Sequence, residues 1–292
     1  MKKILRKIYD LIPFKTELFF VFKKVFNPGP SIYRHLHFKG IITVPVDSSH
    51  AFKMNHYGFQ IENEIFWAGL ANGWEKISIR LWIELCKRSE VIVDAGANTG
   101  IYSLIAKSLD PKTIVYAFEP VKRVYEKLQE NNKLNNFNIN CYEVALSNNT
   151  GKAVIYDLPS EHVYSVTVNQ NRHSADHSTI KTEIQTITLD LFIENNNLKK
   201  IDLLKLDVET HEPEVMEGFK KYLKEFSPVI LIEILNDEVG AKVQEIVSGI
   251  DYLYFNIDER SGIRRVDTIT KSDYYNYLLC NPATAKDLKL TN

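Results

Sequence analysis

One short stretch, residues 91–100, constrains this chain more than any other. Three apolar residues lead into Asp94, and Gly96 and Gly100 then stand four residues apart, before a segment with helical apolar spacing. Glycine permits positive φ and close approach of other atoms, and a helix start offers unpaired N–H groups to polar ligand atoms. The stretch therefore predicts a strand, a tight turn and a helix that together bind a nucleotide.

The glycine spacing distinguishes two classes of nucleotide cofactor. A dinucleotide site uses Gly-x-Gly-x-x-Gly, whereas this chain has Gly-x-x-x-Gly. The carboxylate of Asp94 would repel a pyrophosphate but would attract a ligand that carries an ammonium and a sulfonium. These features favour S-adenosylmethionine, although a glycine pair after a strand also occurs as plain turn chemistry. An NAD-dependent oxidoreductase or sugar epimerase remains an alternative, but it would also need a Tyr-x-x-x-Lys pair that this chain lacks.

Length, charge and cysteine content set the outer limits. With 292 residues and 45% hydrophobic content, the chain can bury the core of one large domain with an appendage. A formal net charge of −1 gives no basic field for binding nucleic acid. Cys86, Cys141 and Cys280 are widely spaced, which argues against a zinc site or a disulfide framework and fits free thiols in a reducing, cytoplasmic compartment.

Residues 1–27 differ from the rest of the chain in charge. Seven Lys and Arg residues stand there against Asp10 and Glu17, with apolar and aromatic residues between them. The longest apolar run, residues 18–22, is far shorter than the span of about 20 residues that crosses a bilayer, and no signal-peptide cleavage site follows it. Two interpretations remain. The segment is a basic amphipathic helix on the inner, anionic membrane surface, or it packs on the main domain or on a second subunit of a homo-oligomer.

The next part of the chain predicts a small β-pair and two helices. Residues 38–46 and 51–54 have strand character on either side of a polar turn. Residues 63–86 have helical apolar spacing, interrupted between Gly69 and Gly73, which indicates two helices rather than one.

From residue 90 onward, strand and helix patterns alternate, which predicts a doubly wound α/β sheet. The apolar strand candidates are 91–94, 114–118, 139–144, 203–207, 229–234 and 252–257. The helical candidates are 100–109, 121–134, 213–224 and 237–248. Near-continuous apolar runs of this kind are typical of parallel strands that are covered on both faces.

The alternation is interrupted at residues 145–190, where no helix pattern appears. Extra strands are predicted at 154–156, 164–168 and 183–189. An insertion at about 157–182, over the carboxyl edge of the sheet, would shape the substrate pocket. We accordingly divide the chain into an N-terminal extension, residues 1–73, and a nucleotide-binding domain, residues 74–292.

Four further residues, at strand ends or near the start of a helix, are candidates for cofactor contacts. Glu119 ends the second parallel strand, 19 residues past Gly100, where a carboxylate can accept hydrogen bonds from both ribose hydroxyls. Glu143 and Ala145 lie at the end of the third strand and are assigned to the adenine end by position alone. Glu75 stands near the start of a helix, where it either points toward the nucleotide pocket or simply favours the helix dipole from solvent.

The fourth strand leads into the second informative motif, residues 205–212, which places several ionisable groups close together. Asp207, Glu209 and His211 alternate, so they would share one face in extended backbone. Three interpretations are open: a metal site that lacks a second His/Asp cluster, acid/base catalysis by His211 or Glu209, and a structural salt-bridge cluster. Glu233 lies inside the apolar fifth strand, where a lone acid is costly without a partner or a function.

These motifs resemble the FkbM-type methyltransferases, a branch of the class I S-adenosylmethionine-dependent enzymes. The resemblance covers about residues 75–240, and its most specific parts are Gly-Ala-Asn-x-Gly at residues 96–100 and Asp-Val-Glu-x-x-Glu at residues 207–212. It implies a seven-stranded, mostly parallel sheet and methyl transfer to a hydroxyl of a glycan, such as a surface polysaccharide, or of another natural product. Thr210 departs from the pattern, because the family usually has glycine there.

The resemblance also assigns residues. Those expected to hold S-adenosylmethionine are Asp94, Gly96, Asn98, Gly100, Tyr102, Glu119 and Asp207, with Glu75 as a weaker match. His211 is the first choice for a base that takes the proton of the acceptor hydroxyl, with Glu209 and Glu233 as alternatives. No metal ligand is assigned. A non-catalytic, membrane-associated protein that keeps the nucleotide-binding fold is the remaining alternative.

Overall fold

The computed structural model describes residues 14–26, 28–157 and 180–291. The strands are β1 (Gly40–Pro45), β2 (Ala51–His56), β3 (Val91–Ala95), β4 (Ile114–Phe118), β5 (Asn140–Tyr142), β6 (Ala145–Leu146), β7 (Gly151–Asp157), β8 (Ile180–Ile187), β9 (Leu203–Leu206), β10 (Val229–Glu233), β11 (Leu253–Asp258), β12 (Gly262–Val266) and β13 (Asn276–Cys280). The helices are α1 (Lys15–Val25), α2 (Pro30–Tyr33), α3 (Gln60–Ala68), α4 (Lys76–Cys86), α5 (Ile101–Leu109), α6 (Lys122–Leu134), α7 (Leu189–Asn196), α8 (Glu212–Glu217), α9 (Lys220–Phe226), α10 (Asp237–Ile246) and α11 (Pro282–Asp287).

The central sheet has eight strands in the order β12-β11-β13-β10-β9-β3-β4-β5. Neighbours from β10 to β5 are parallel. At the other edge, β13 is antiparallel to both β10 and β11, and β12 is antiparallel to β11. Six of these eight strands therefore run in one direction, which confirms the expected doubly wound, mostly parallel α/β class.

Strands β3 and β9 lie side by side at the centre of this sheet, and every residue of both is buried. The chain moves outward from β3 to β4 and β5, and it later returns to β9 on the other side of β3. Apolar side chains of α4, α5 and α6 cover one face, and those of α7, α8, α9 and α10 cover the other. A reversal of strand order of this kind opens a crevice at the carboxyl ends of the two central strands.

The sheet has one strand more than the seven that the family resemblance implied. The additional edge strand is β12, which pairs with β11 as a hairpin. Its pattern of exposure is mixed, and Arg264 and Arg265 are exposed. An exposed edge strand needs no continuous apolar run, so the sequence pattern gave no sign of it.

Two boundaries differ from the expected helix and strand pattern. The single helix expected at 213–224 is divided into α8 and α9 around Gly218, where a Cβ atom would lie 2.0 Å from the carbonyl oxygen of Ser147. The strand expected at 183–189 ends at residue 187 because the side chain of Thr188 accepts a hydrogen bond from Leu191 N at 3.2 Å and caps α7. The strand expected at 164–168 lies outside the described residues.

The expected β-pair and helix pair before the sheet are confirmed. Strands β1 and β2 pair antiparallel, and α3 and α4 are separate helices on either side of residues 69–75. Apolar side chains of β1, β2 and α3 belong to the same core as those of α5. In the described part of the chain, no helix combines the length and the apolar character needed to cross a membrane.

Candidate active site

A partly open cavity lies at the carboxyl ends of β3, β4 and β9. Its polar lining comes from the first turn after β3, the end of β4 and the second turn after β9: Gly96, Asn98, Glu119, Asp207, Glu209 and His211. Its apolar lining comes mainly from the segments around β4 and β6: Phe118, Pro120, Val121, Ala145, Leu146, Ile155 and Val208.

The first turn is built by glycine. Gly96 has φ +76°, and its N–H donates to Phe118 O at 3.0 Å. A Cβ atom on Gly96 would lie 1.9 Å from the carbonyl oxygen of Asp207, and one on Gly100 (φ +93°) would lie 2.6 Å from Leu128 Cδ1. Gly96 is therefore required by the backbone that packs against it, and Gly100 is favoured by its positive φ, before any ligand is considered.

Glu119 connects the first turn to the end of β4. Its Oε2 accepts from Asn98 N at 3.1 Å and its Oε1 from Val121 N at 2.9 Å. Burial raises the pKa of Glu119 to about 7, although the two N–H groups act in the opposite direction. The carboxyl group thus changes its ionisation near neutral pH, at the edge of the cavity.

The two residues assigned to the adenine end, Ala145 and Glu143, lie in different surroundings. Ala145 lines the cavity, next to Leu146 and Val121. Glu143 does not line it. The Glu143 side chain is 41% exposed, and its Oε2 lies 3.8 Å from Lys122 Nζ.

The second turn, residues 207–211, is not extended, contrary to the expectation that alternate residues share one strand face. Strand β9 ends at Leu206, and Glu209 and Thr210 have φ values of +57° and +78°. The turn is held by Glu212, which is fully buried and whose Oε1 accepts from Val208 N at 3.1 Å and Thr210 N at 3.3 Å. Thr210, at the position where the resemblance leads one to expect glycine, thus has the left-handed backbone that glycine adopts readily.

Two side chains that the sequence did not single out lie next to His211. Its Nε2 lies 3.0 Å from Ser147 Oγ, and its Nδ1 lies 3.5 Å from Glu214 Oε2. Burial lowers the pKa of His211, against the opposite effect of Glu214 and Glu217. The imidazole is therefore mainly neutral at pH 7 and able to accept a proton. In the sequence, the only sign of Glu214 was its position three residues after His211.

Several assigned residues lie behind the cavity rather than in its wall. Asp94 is 0% exposed, its Oδ2 accepts from Ser103 Oγ at 2.6 Å, and burial raises its pKa. Tyr102 OH donates to Glu75 Oε2 at 2.5 Å. Burial raises the pKa of Glu75 to about 7, with Lys205 acting in the opposite direction and Asp207 adding to the rise.

Lys205 is the cation at the centre of this acidic group. Its Nζ lies 2.8 Å from Asp207 Oδ2 and 4.4 Å from the centre of the Tyr102 ring. Burial by itself would lower the pKa of Lys205, but Asp207, Asp94 and Glu75 raise it overall. The positive charge of one buried ammonium group is thus shared among several carboxyl groups. Acidic side chains therefore outnumber basic ones around Lys205.

Glu233, the third candidate base, ends β10 and does not line the cavity. Burial, together with the charges of Asp207 and Glu209, raises its pKa to about 10. The carboxyl group is therefore protonated at neutral pH, which makes it a poor proton acceptor. Among the described side chains, no three of His, Cys, Asp or Glu are grouped so that they could hold a metal ion.

A family model described as "Methyltransferase FkbM domain" matches residues 94–264, which include the whole of the cavity lining. The chain is similar to the "Hexuronic acid methyltransferase AglP" of Haloferax volcanii, with 27% identity over 157 residues, 54% of this chain and 61% of that protein. It is also similar to the "2-O-methyltransferase NoeI" of Sinorhizobium fredii, with 28% identity over 148 residues, 47% of this chain and 60% of that protein. The matches thus span about three fifths of these relatives.

Among solved structures, the chain is similar to the methyltransferase FkbM of Methylobacillus flagellatus. The TM-score is 0.41 at 17% identity, and the match covers 65% of this chain and 43% of that one.

Proposed function

This chain belongs to the FkbM methyltransferase family, and from that premise we propose that it transfers a methyl group from S-adenosylmethionine to a hydroxyl of a glycan or glycoconjugate. One observation carries the proposal. Within the segment that matches the family, a neutral imidazole and a buried carboxyl group line the same cavity.

The chemistry of the cavity fits S-adenosylmethionine. The carboxyl group of Glu119 would accept hydrogen bonds from the ribose hydroxyls, and the apolar side chains around Ala145 would contact the adenine. Asp207 and Glu209 in the wall, with Glu75 and Asp94 behind it, favour a ligand that carries positive charge. Gly96 and Asn98 would contribute backbone at the first turn, as the family resemblance implies.

When bound, the cofactor would supply an activated methyl group on a sulfonium sulfur. The chain's own task is then to orient the acceptor oxygen, to exclude water and to remove the hydroxyl proton. His211 is suited to that task because it is neutral and lines the cavity. Glu209 also lines the cavity and remains the alternative base, whereas the raised pKa of Glu233 makes it the weakest of the three candidates.

Within His211, the base atom is Nε2. The Glu214 carboxylate faces Nδ1 and favours the tautomer that carries its proton there. Nε2 then has a free lone pair, and the hydroxyl of Ser147 is near enough to donate to it. A substrate hydroxyl would take over this role from Ser147, so that its proton passes to Nε2 as the oxygen is methylated.

A sugar hydroxyl is the acceptor that the relatives favour. The name of the Haloferax protein denotes a sugar acid as acceptor, and that of the Sinorhizobium protein denotes methylation of an oxygen. We therefore expect an acceptor that contains a hexuronic acid or a related sugar, for instance in a cell-surface polysaccharide.

The proposal is tested in two steps. Calorimetry with S-adenosylmethionine, and with NAD as the comparison, should show binding of the first compound only. Transfer of labelled methyl groups to a panel of hexuronic acid oligosaccharides, followed by mass spectrometry, should then locate the label on a sugar oxygen. Absence of S-adenosylmethionine binding by a protein whose circular dichroism shows it to be folded would refute methyl transfer. Binding without transfer to any sugar, but with transfer to other alcohols, would refute the glycan acceptor alone.

A further inference from the structure

Helix α1 (Lys15–Val25) is apolar on two opposite faces, of which only the inner one is covered by described residues. On that inner face, the ring of Phe19 packs edge-on against Phe38 and Trp67, with centroid distances of 5.7 and 5.6 Å. Lys23 Nζ donates to Phe66 O and lies 4.6 Å from the centre of the Phe66 ring. These contacts fix which face of α1 is turned away from the protein.

The outer face is a continuous apolar stripe. Phe14, Leu18, Val21 and Val25 are 75%, 53%, 63% and 81% exposed. Their spacing of four, three and four residues places them on one side of the helix. We call these four side chains the outer stripe. No described residue buries them, and a row of large exposed apolar side chains on a helix indicates a surface that is covered by something else.

The charge of the surrounding sequence indicates what that is. Residues 1–27 contain seven Lys or Arg and two Asp or Glu. Residues 28–292 contain 29 Lys or Arg and 35 Asp or Glu. At about 100° per residue, Lys15 lies on one flank of the outer stripe, and Lys24 and Glu17 lie on the other. Four more basic residues stand in the sequence before Phe14, at positions 2, 3, 6 and 7. The excess of positive charge thus belongs to the part of the sequence that contains the outer stripe.

We propose that the outer stripe docks on the surface of an anionic lipid bilayer. An apolar helical face with basic flanks is the pattern that lies in the headgroup region of such a membrane. A second copy of the chain fits less well, because the excess of Lys and Arg over Asp and Glu in residues 1–27 of the two copies would favour repulsion. Four side chains on an 11-residue helix also form a surface well below the roughly 800 Å² per partner that a stable dimer needs.

The test compares the full-length protein with two variants on vesicles of defined composition. Leu18→Glu/Val21→Glu places charge in the outer stripe, and Ile114→Glu places it at an apolar residue of similar exposure, 44%, at the start of β4. Thermal unfolding followed by circular dichroism checks that each variant is folded. This experiment does not depend on the methyl acceptor or on cofactor binding.

The wild-type protein and Ile114→Glu should sediment with phosphatidylglycerol-containing vesicles and much less with pure phosphatidylcholine. The stripe variant should bind at least about ten-fold more weakly, and about 0.5 M salt should weaken wild-type binding. Equal binding of the wild type and the stripe variant would overturn the proposal, as would failure of the wild type to bind either vesicle. A dimer in light scattering that dissociates in the stripe variant would assign the stripe to self-association instead.

Discussion

The two turns that border the cavity follow neighbouring parallel strands, but they reach positive φ by different means. The turn after β3 uses glycine at Gly96 and Gly100, with Asn98 between them at φ +53°. The turn after β9 has Glu209 and Thr210 at positive φ and no glycine. Its backbone is held by the buried carboxyl group of Glu212.

This difference reflects what each turn must do. The first turn has to leave room, because the backbone of Asp207 passes where a Cβ of Gly96 would be. The second turn has to present side chains, and it therefore retains Glu209 and His211 at the cavity. A left-handed residue other than glycine costs about 1–2 kcal/mol, so the second turn is maintained against strain by the contacts around it.

The largest effect is expected in the second turn, from loss of the base. His211→Ala should lower turnover by about 10²–10⁴ and leave the affinity for S-adenosylmethionine within several-fold. In the wild type, kcat/KM should fall as pH drops below the lowered pKa of His211, because the imidazole must be neutral to accept a proton. Glu209→Gln is the matched variant in the same turn. A greater loss of turnover there than in His211→Ala would transfer the role of base to Glu209.

The first turn is tested by adding a single methyl group. Gly96→Ala should lower the free energy of unfolding by about 3 kcal/mol or more, since both the positive φ and the contact with Asp207 O oppose it. Gly249→Ala is the control, because Gly249 has φ +83° but no atom within 4 Å of its Cβ position. That variant should lose about 1–2 kcal/mol. Equal losses in urea titrations would show that the approach of Asp207 does not explain Gly96.

The contribution of Glu212, which holds the second turn, to the free energy of unfolding should depend on pH. Burial raises the pKa of Glu212 to about 8, well above the value near 4.3 of an unfolded chain. The folded state thus favours the protonated form, and this contribution to stability is present below about pH 4 and is lost as pH rises through 8. Glu212→Gln should remove that dependence and stabilise the protein most at high pH. Urea titrations of both proteins over this pH range measure the difference, and parallel profiles of unfolding free energy against pH would contradict the prediction.

Ionisation of Glu119 should couple cofactor binding to pH at the first turn. Because the pKa of Glu119 is about 7, its side chain becomes a carboxylate only as pH rises past neutrality. Only that carboxylate can accept hydrogen bonds from both ribose hydroxyls. The affinity for S-adenosylmethionine should weaken up to about ten-fold for each pH unit below 7, measured by calorimetry. Glu119→Gln should bind more weakly with little pH dependence. Glu75→Gln removes an acid of similar pKa that lies behind the cavity, and it should retain most of the slope.

The smallest effect is expected from relieving strain in the second turn. Thr210→Gly should increase the free energy of unfolding by less than about 1 kcal/mol, because the relief of positive φ is partly offset by the greater freedom of glycine in the unfolded chain. Chemical denaturation of both proteins measures the difference. A loss of stability would mean that the contacts of the Thr210 side chain outweigh the strain of its backbone.

Sequence patterns predicted well where one local rule determined the structure. Buried parallel strands require continuous apolar runs, so β3, β4, β9 and β10 were found close to their observed limits. Glu119 was identified because the acid after the second strand of such a sheet faces the nucleotide crevice. The pattern failed for the edge strand β12, which has no continuous apolar run, and it missed helix α7. It also failed for the break at Gly218, because that break depends on Ser147, which is distant in the sequence.

The surroundings of the site residues were also beyond what sequence patterns could predict. Ser147 and Glu214 approach the two nitrogens of His211, although Ser147 is 64 residues away in the chain. Glu143 and Asp94 stand at the expected ends of their strands, but Glu143 is directed to Lys122 and Asp94 to Ser103. Where a side chain at a strand end points depends on what packs against it, and spacing alone does not contain that information.

By itself, the sequence determined the class of fold, the order of its main elements and the sheet edge at which the cavity lies, because apolar periodicity and glycine act locally. Only the tertiary structure decided which acids enter the cavity, which ones lie buried behind it around Lys205, and which side chains lie next to His211. Those outcomes depend on burial and on charge–charge distances, and both are properties of the packed chain.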